Sequence, residues 1–158
     1  MINLSAKTGD KTTKILNSYD VIALRPAQTQ DIYEQAFIKG DADIISLDLS
    51  QRMNFYIQKT WVKLATTRSI MIEIVYGPGC FEPPADGSDN VNQRKTFLMN
   101  AISLIKLAKG KNIILSSEAS SVLYQRSPLD VLSMAKMMGI ENQGDAEATI
   151  RGNCAKVF

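Results

Sequence analysis

Apolar and polar positions along the chain follow two alternating rhythms. Val21-Ile22-Ala23-Leu24, Ala42 to Leu47, Ile70 to Tyr76 and Ile113-Ile114-Leu115 are short apolar runs of the kind that form strands covered on both faces. Between them, apolar residues recur at helical spacing. Thr29-Gln30-Asp31 caps a helix that runs through Ile38 and ends at Gly40. Asn54 to Thr67 predicts a second helix, with Ile57, Trp61 and Leu64 on one face and Trp61 in the core. Asn92 to Ala108 predicts a third. Its inner stripe is Phe97, Ala101, Leu104, Ile105 and Ala108, with a second row at Leu98 and Ile102, wide enough to lie on a sheet.

The last third of the chain carries the clearest boundary signals. Ser127-Pro128-Leu129-Asp130 combines an N-cap hydroxyl, a proline at the first helical position and an acid in the first turn. The helix it opens, Leu129 to Met138, ends at Gly139, and Ile140 is placed to pack back on it. Asp145 to Asn153 predicts a final helix. At the other end, Ile2-Asn3-Leu4 reads as a strand and Thr12 to Ser18 as a short helix. Phe81 to Asn90, rich in proline, glycine and acids, reads as a loop.

Strands alternating with helices argue for an α/β fold with a mainly parallel sheet and right-handed crossovers. A chain of 158 residues is one domain's worth. It holds about five βα units, whereas a closed eight-stranded barrel typically needs about 250 residues. The expectation is a single domain, 1–158, built as a partial (βα) TIM-like barrel.

Composition narrows the chemistry mainly by what is missing. The chain has no histidine, which removes imidazole acid/base catalysis, Ser-His triads and imidazole metal ligands. Cys80 and Cys154 match no metal spacing and read as reduced thiols of an intracellular protein. No stretch is long and apolar enough to span a membrane. No phosphate-binding glycine loop, GxSxG elbow or CxxC occurs, so no catalytic residue, metal site or cofactor is assigned. Glu73 and Asp48 point toward strand ends. They leave open a metal-dependent phosphoesterase or a small-molecule enzyme on a (βα) barrel, or else serve as partners for arginines.

The net charge of +2 hides a division. Residues 20–50 set Arg25 and Lys39 against six acids, whereas residues 92–127 set Arg94, Lys95, Lys106, Lys109, Lys111 and Arg126 against Glu118 alone. In parallel α/β folds, working residues gather in the loops that leave the C-terminal ends of strands. Arg25, Arg52, Arg94 and Arg126 each lie between a strand end and the following helix, so all four belong on one face. Arginine's planar fork suits phosphate, and Lys95, Ser116 and Ser117 add donors to phosphate or sugar, making these seven a candidate phosphate-facing surface, which the family resemblance given below would make RNA-binding. The competing reading pairs each arginine with an acid such as Asp48 or Glu118. Lys109 and Lys111 precede a strand and belong to the opposite face, at a helix C-terminus.

Lys109-Gly110-Lys111-Asn112, the apolar strand ending in Ser116-Ser117, the Arg126-x-Pro128-x-Asp130 helix start and the closing Asp145…Asn153-Cys154 segment form a distinctive set. With Tyr19 to Ala23 leading to Pro26, Phe55-Tyr56, Glu73 before Tyr76, and Arg94 opening a helix, it resembles the thirty-kilodalton protein subunit of ribonuclease P and RNase MRP. The resemblance covers nearly all of the chain. It implies a barrel related to the polymerase-and-histidinol-phosphatase group, of which this chain would be the C-terminal portion. It also implies a non-catalytic scaffold in maturing the 5′ end of transfer RNA, with a further link to ribosomal-RNA processing. The RNA component would do the chemistry. The implied partners are the ribonuclease P/MRP RNA, other protein subunits of the particle and, indirectly, precursor tRNA, in the nucleus (nucleolus). Phosphoesterase relatives of that fold bind metals largely through histidines, which this chain lacks.

Overall fold

The computed structural model describes residues 18–83 and 90–157. The strand expected near residue 2 and the short helix before Ser18 lie outside them. Four strands form one parallel sheet in sequence order: β1 (Ala23–Leu24), β2 (Ile44–Leu47), β3 (Met71–Val75) and β4 (Ile113–Ser116). The crossovers run through α1 (Gln30–Lys39), α2 (Lys59–Thr67), and the pair α3 (Gly77–Cys80) and α4 (Asn90–Ala108). After β4 come α5 (Pro128–Met137), α6 (Gln143–Ala148) and α7 (Gly152–Ala155). Strands in sequence order with right-handed crossovers place α1, α2 and α4 on one face, as in a sector of a (βα) barrel.

Strand parity divides the sheet residues between two faces. Ile45, Leu47, Ile72, Ile74, Ile113 and Leu115 turn toward the helices and join the core with Tyr33, Phe37, Trp61, Phe97, Leu104 and Ile105. Each such side chain, fully buried, stabilises the fold by about 1.5–3 kcal/mol over its exposed form. Ser46, Glu73 and Ser116 share the opposite face.

Local chemistry explains the element ends. In α5, the Ser127 hydroxyl accepts from the Asp130 N–H at 3.3 Å and Pro128 fills the first turn. Gly139 ends that helix at φ +104°, and Ile140 donates back to the Ala135 carbonyl and is buried, as its position predicts. Arg68 closes α1 from outside: its guanidinium donates to the carbonyls of Ile38 and Gly40.

Two helices differ from expectation. The second starts at Lys59, not Asn54. Met53, Phe55 and Ile57 are half-buried while Asn54 and Tyr56 are exposed, a period of two that belongs to extended chain. Phe55 meets the Tyr33 ring edge-on at 5.0 Å, which holds that extended segment down. Trp61 is buried as expected, but Leu64 is 44% exposed, and the inner face is Trp61, Val62 and Ala65.

The segment expected as one helix over Asp145–Asn153 is instead two short helices, α6 and α7. Between them the chain lies along β4. The Thr149 carbonyl accepts from the Leu115 N–H at 3.2 Å, and the buried Asn153 amide donates to the Ile113 carbonyl at 2.8 Å. These polar groups of β4 point away from β3 and would otherwise be unpaired.

Candidate nucleic-acid interface

All the candidate residues follow strand ends, but the fold sorts them into three situations. The first is an inward one. Beyond β1, the Arg25 guanidinium donates to Glu118 at 2.7 Å and to the buried Ser46 hydroxyl at 3.0 Å. With Ala23, Glu73, Val75 and Ser116 these residues line a cavity of about 290 Å³ on the sheet face away from the helices. Arg25 Nε and Ser116 Oγ are buried there without a hydrogen-bond partner among the described residues. The acid-pairing reading therefore describes Arg25. Glu118 reaches it from a left-handed backbone position, φ +44°, which directs its carboxylate back across the strand ends.

Asp48 is not part of this cavity. Its carboxylate accepts from the N–H and hydroxyl of Ser50 at 3.0 and 2.6 Å, fixing the turn after β2. No group of three or more Cys, Asp or Glu side chains able to hold a metal occurs among the described residues.

The second situation is a layered cluster over the ends of β3 and β4. Gly77 donates its N–H to the Ser117 carbonyl at 3.0 Å. A Cβ on Gly77 would lie 2.1 Å from that oxygen, and one on Gly79 would lie 2.4 Å from the Phe97 ring. The Gly77-Pro78-Gly79 turn is thus pressed onto both β4 and α4, which only glycine permits. Above it, Phe81 meets the buried Tyr76 ring at right angles, with centroids 6.0 Å apart. The Arg126 guanidinium lies 4.1 Å over Phe81.

Burial raises the Tyr76 phenol's pKa, opposed by a hydrogen bond with Ser117 and by the charge of Arg126. The Glu82 carboxylate accepts from the Ser120 N–H at 2.6 Å, tying the two loops together. Cys80 sits beneath: burial pushes its thiol up to about 11, against the nearby charge of Arg94.

Third come the exposed cations. The side chains of Arg52, Arg94 and Lys95 make no hydrogen bond or ion pair with another described residue. The loop carrying Arg52 is held by the Asn100 amide, which donates to the carbonyls of Leu49 and Gln51 at 3.0 and 3.1 Å. That bond sets Arg52 beside α4, whose first turns carry Arg94 and Lys95. Lys106, at the far end of α4, lies about 16 Å from Lys95 along the axis. The basic stretch 92–127 is therefore divided between the two ends of the sheet. Only Arg94, Lys95 and Arg126 belong to the strand-end face.

Sequence reasoning missed the role of Phe81, which lies in a loop of turn-forming residues. The one available signal was an aromatic directly after a Gly-Pro-Gly-Cys turn. It also could not choose Glu118, 93 positions from Arg25, over the other acids. Among the described residues no helix is long and apolar enough to cross a membrane.

Comparison with known proteins bears on the family and the fold. The chain is 30% identical over 147 residues to the mouse "Ribonuclease P protein subunit p30", matching 93% of this chain and 51% of that protein. It is 34% identical over 156 residues to the Arabidopsis thaliana "Protein GAMETOPHYTE DEFECTIVE 1", covering 99% of this chain and 25% of that protein. The chain thus spans about half, or less, of these relatives' length. The fold is shared with a chain of an archaeal ribonuclease P solved with mature tRNA. The TM-score is 0.67 at 20% identity, over 94% of this chain and 60% of that one. Residues 3–158 match the family described as RNase P subunit p30, and the chain belongs to that family.

Proposed function

We propose that this chain acts in a non-catalytic protein subunit of ribonuclease P or MRP, a scaffold for RNA and for other subunits in transfer-RNA 5′ maturation. The observation that carries this reading is the family match across residues 3–158. The lack of histidine and of any three-ligand metal cluster among the described residues weighs against the phosphoesterase alternative. In this reading the RNA component performs the cleavage and the particle works in the nucleus, with the nucleolus its expected site. Precursor tRNA is met through the particle. Arg52, Arg94, Lys95 and Arg126 contact RNA at the strand-end face, with Ser117 positioning the loop. Arg25 and Ser116 support that face from the cavity behind it.

Filter binding of the chain to transcribed ribonuclease P RNA, over a range of salt, tests this. Replacing Arg52, Arg94 and Lys95 together by Ala should lower the slope of log affinity against log salt by about two to three, and weaken binding equally across sequences. An unchanged slope with normal folding refutes the reading. If, in addition, association with a partner subunit falls, the same face is a protein dock.

A further inference from the structure

We propose that Arg126, seated on Phe81, is a stacking platform for an unpaired RNA base. This deepens the reading above and rests on that face meeting RNA.

The argument begins with how the guanidinium is held. Its Cζ lies over the Phe81 ring, 4.1 Å from the centroid, and Phe81 is itself braced edge-on by the buried Tyr76. The two loops are tied to each other by the Gly77–Ser117 backbone bond and by the Glu82–Ser120 bond. Yet Arg126 is exposed and has no acid partner among the described residues. A long, flexible side chain on a surface ordinarily loses entropy when it is ordered. Here an aromatic stack growing out of the core orders it beforehand.

The geometry favours a base over a lone phosphate. Phosphate is met by the edge of the fork, and either face of a guanidinium can then lie anywhere. A flat cation seated over a ring and exposed to solvent is placed to carry a further layer, and every base has a π-face to set against it. In the same loop Val122 and Leu123 are 80% and 83% exposed. Exposed apolar side chains three and four positions before Arg126 suit a base, whose hydration they displace, and add nothing for a phosphate. The site calls for an unpaired segment, because bases inside an A-form helix are stacked on each other and closed to a side chain.

The test uses the 158-residue chain, with Arg126→Lys as the decisive variant. Lysine keeps the charge and loses the plane. The probes are a labelled single-stranded RNA of mixed sequence, the same RNA with abasic sites, and a duplex of equal length. Arg126→Lys should bind the single strand about tenfold more weakly with an unchanged salt slope, and bind the duplex as wild type does. The wild-type chain should lose a similar factor on the abasic strand. Phe81→Leu, which keeps an apolar filler against Tyr76, should reproduce the loss with a near-normal melt.

If Arg126→Lys binds the intact and abasic strands as wild type does, while RNA binding and its salt slope are otherwise normal, Arg126 is a phosphate contact and stacking is refuted alone. A wild-type chain that binds no RNA refutes this proposal and the RNA-facing reading together. If Arg126→Lys leaves all RNA binding unchanged but weakens a partner subunit, the platform is a protein dock.

Discussion

Replacing Asn153 by Ala should destabilise the fold far more than its place on a four-residue helix near the chain end would indicate. Its amide donates to the carbonyl of the fully buried Ile113 at 2.8 Å, and Asn153 itself is 3% exposed. That carbonyl points away from β3, so no ladder bond replaces the lost donor. An unsatisfied buried acceptor costs about 1–3 kcal/mol. With a urea slope near 2 kcal/mol per molar for a domain of this size, the midpoint should fall by about 1 M.

The effect should also be local. Native-state hydrogen exchange at the Leu115 amide, which bonds to the Thr149 carbonyl on the same segment, should quicken markedly while amides in β2 change only with global stability. Lys156→Ala serves as the control. Its Nζ reaches the other end of the same amide, Asn153 Oδ1, at 3.2 Å, and an outer contact of this kind is worth about 0.5–1.5 kcal/mol at most. A midpoint shift below about 0.3 M in Asn153→Ala, or one matched by Lys156→Ala, would refute the reasoning.

Two further outcomes follow from buried groups. Gly77→Ala would put a methyl 2.1 Å from the Ser117 carbonyl, so thermal melts should show a loss of about 1–3 kcal/mol or more, and displacement of the loop carrying Arg126 should weaken RNA binding as well. Alkaline titration offers the other. Burial raises Tyr33 to about 12 and Cys80 to about 11, so an unfolded chain releases these protons first, near pH 10 and pH 9. Above about pH 9 the unfolded state therefore binds fewer protons, and stability should fall through pH 12. Each group contributes on the order of 2 kcal/mol across its window. Urea midpoints measured up the pH scale should show this decline, and Tyr33→Phe should flatten its upper half; a flat profile in the wild-type chain contradicts the assignment.

What could be read from the chain in advance was what local chemistry decides. The apolar runs of β2 to β4 and the Ser127-Pro128 start of α5 need only neighbouring residues, and they stand where the pattern puts them. Residues 54–58 read as helix because Ile57, Trp61 and Leu64 fit a helical face by spacing alone. The structure shows instead that Phe55 is drawn to Tyr33, a contact no window of residues contains. The break between α6 and α7 has the same origin, since Thr149 turns its carbonyl toward a strand formed 34 positions earlier.

The strand-end rule brought the arginines to one side of the sheet. It could not say that Arg25 is spent on Glu118, because Glu118 gains that reach only from a left-handed backbone conformation. Nor could charge counting see that a 19-residue helix carries its cations to opposite ends.

The α6–α7 segment has one more consequence, for how this sheet can be extended. A strand joining beside β4 would need the Leu115 N–H and the Ile113 carbonyl, and Thr149 and Asn153 already hold both. To add a strand there, the chain would first have to peel away its own C-terminal segment and break two hydrogen bonds at about 0.5–1.5 kcal/mol each, along with the packing of Ala146. The β4 edge is thus closed, and a second molecule cannot pair edge to edge on β4 while the native state persists.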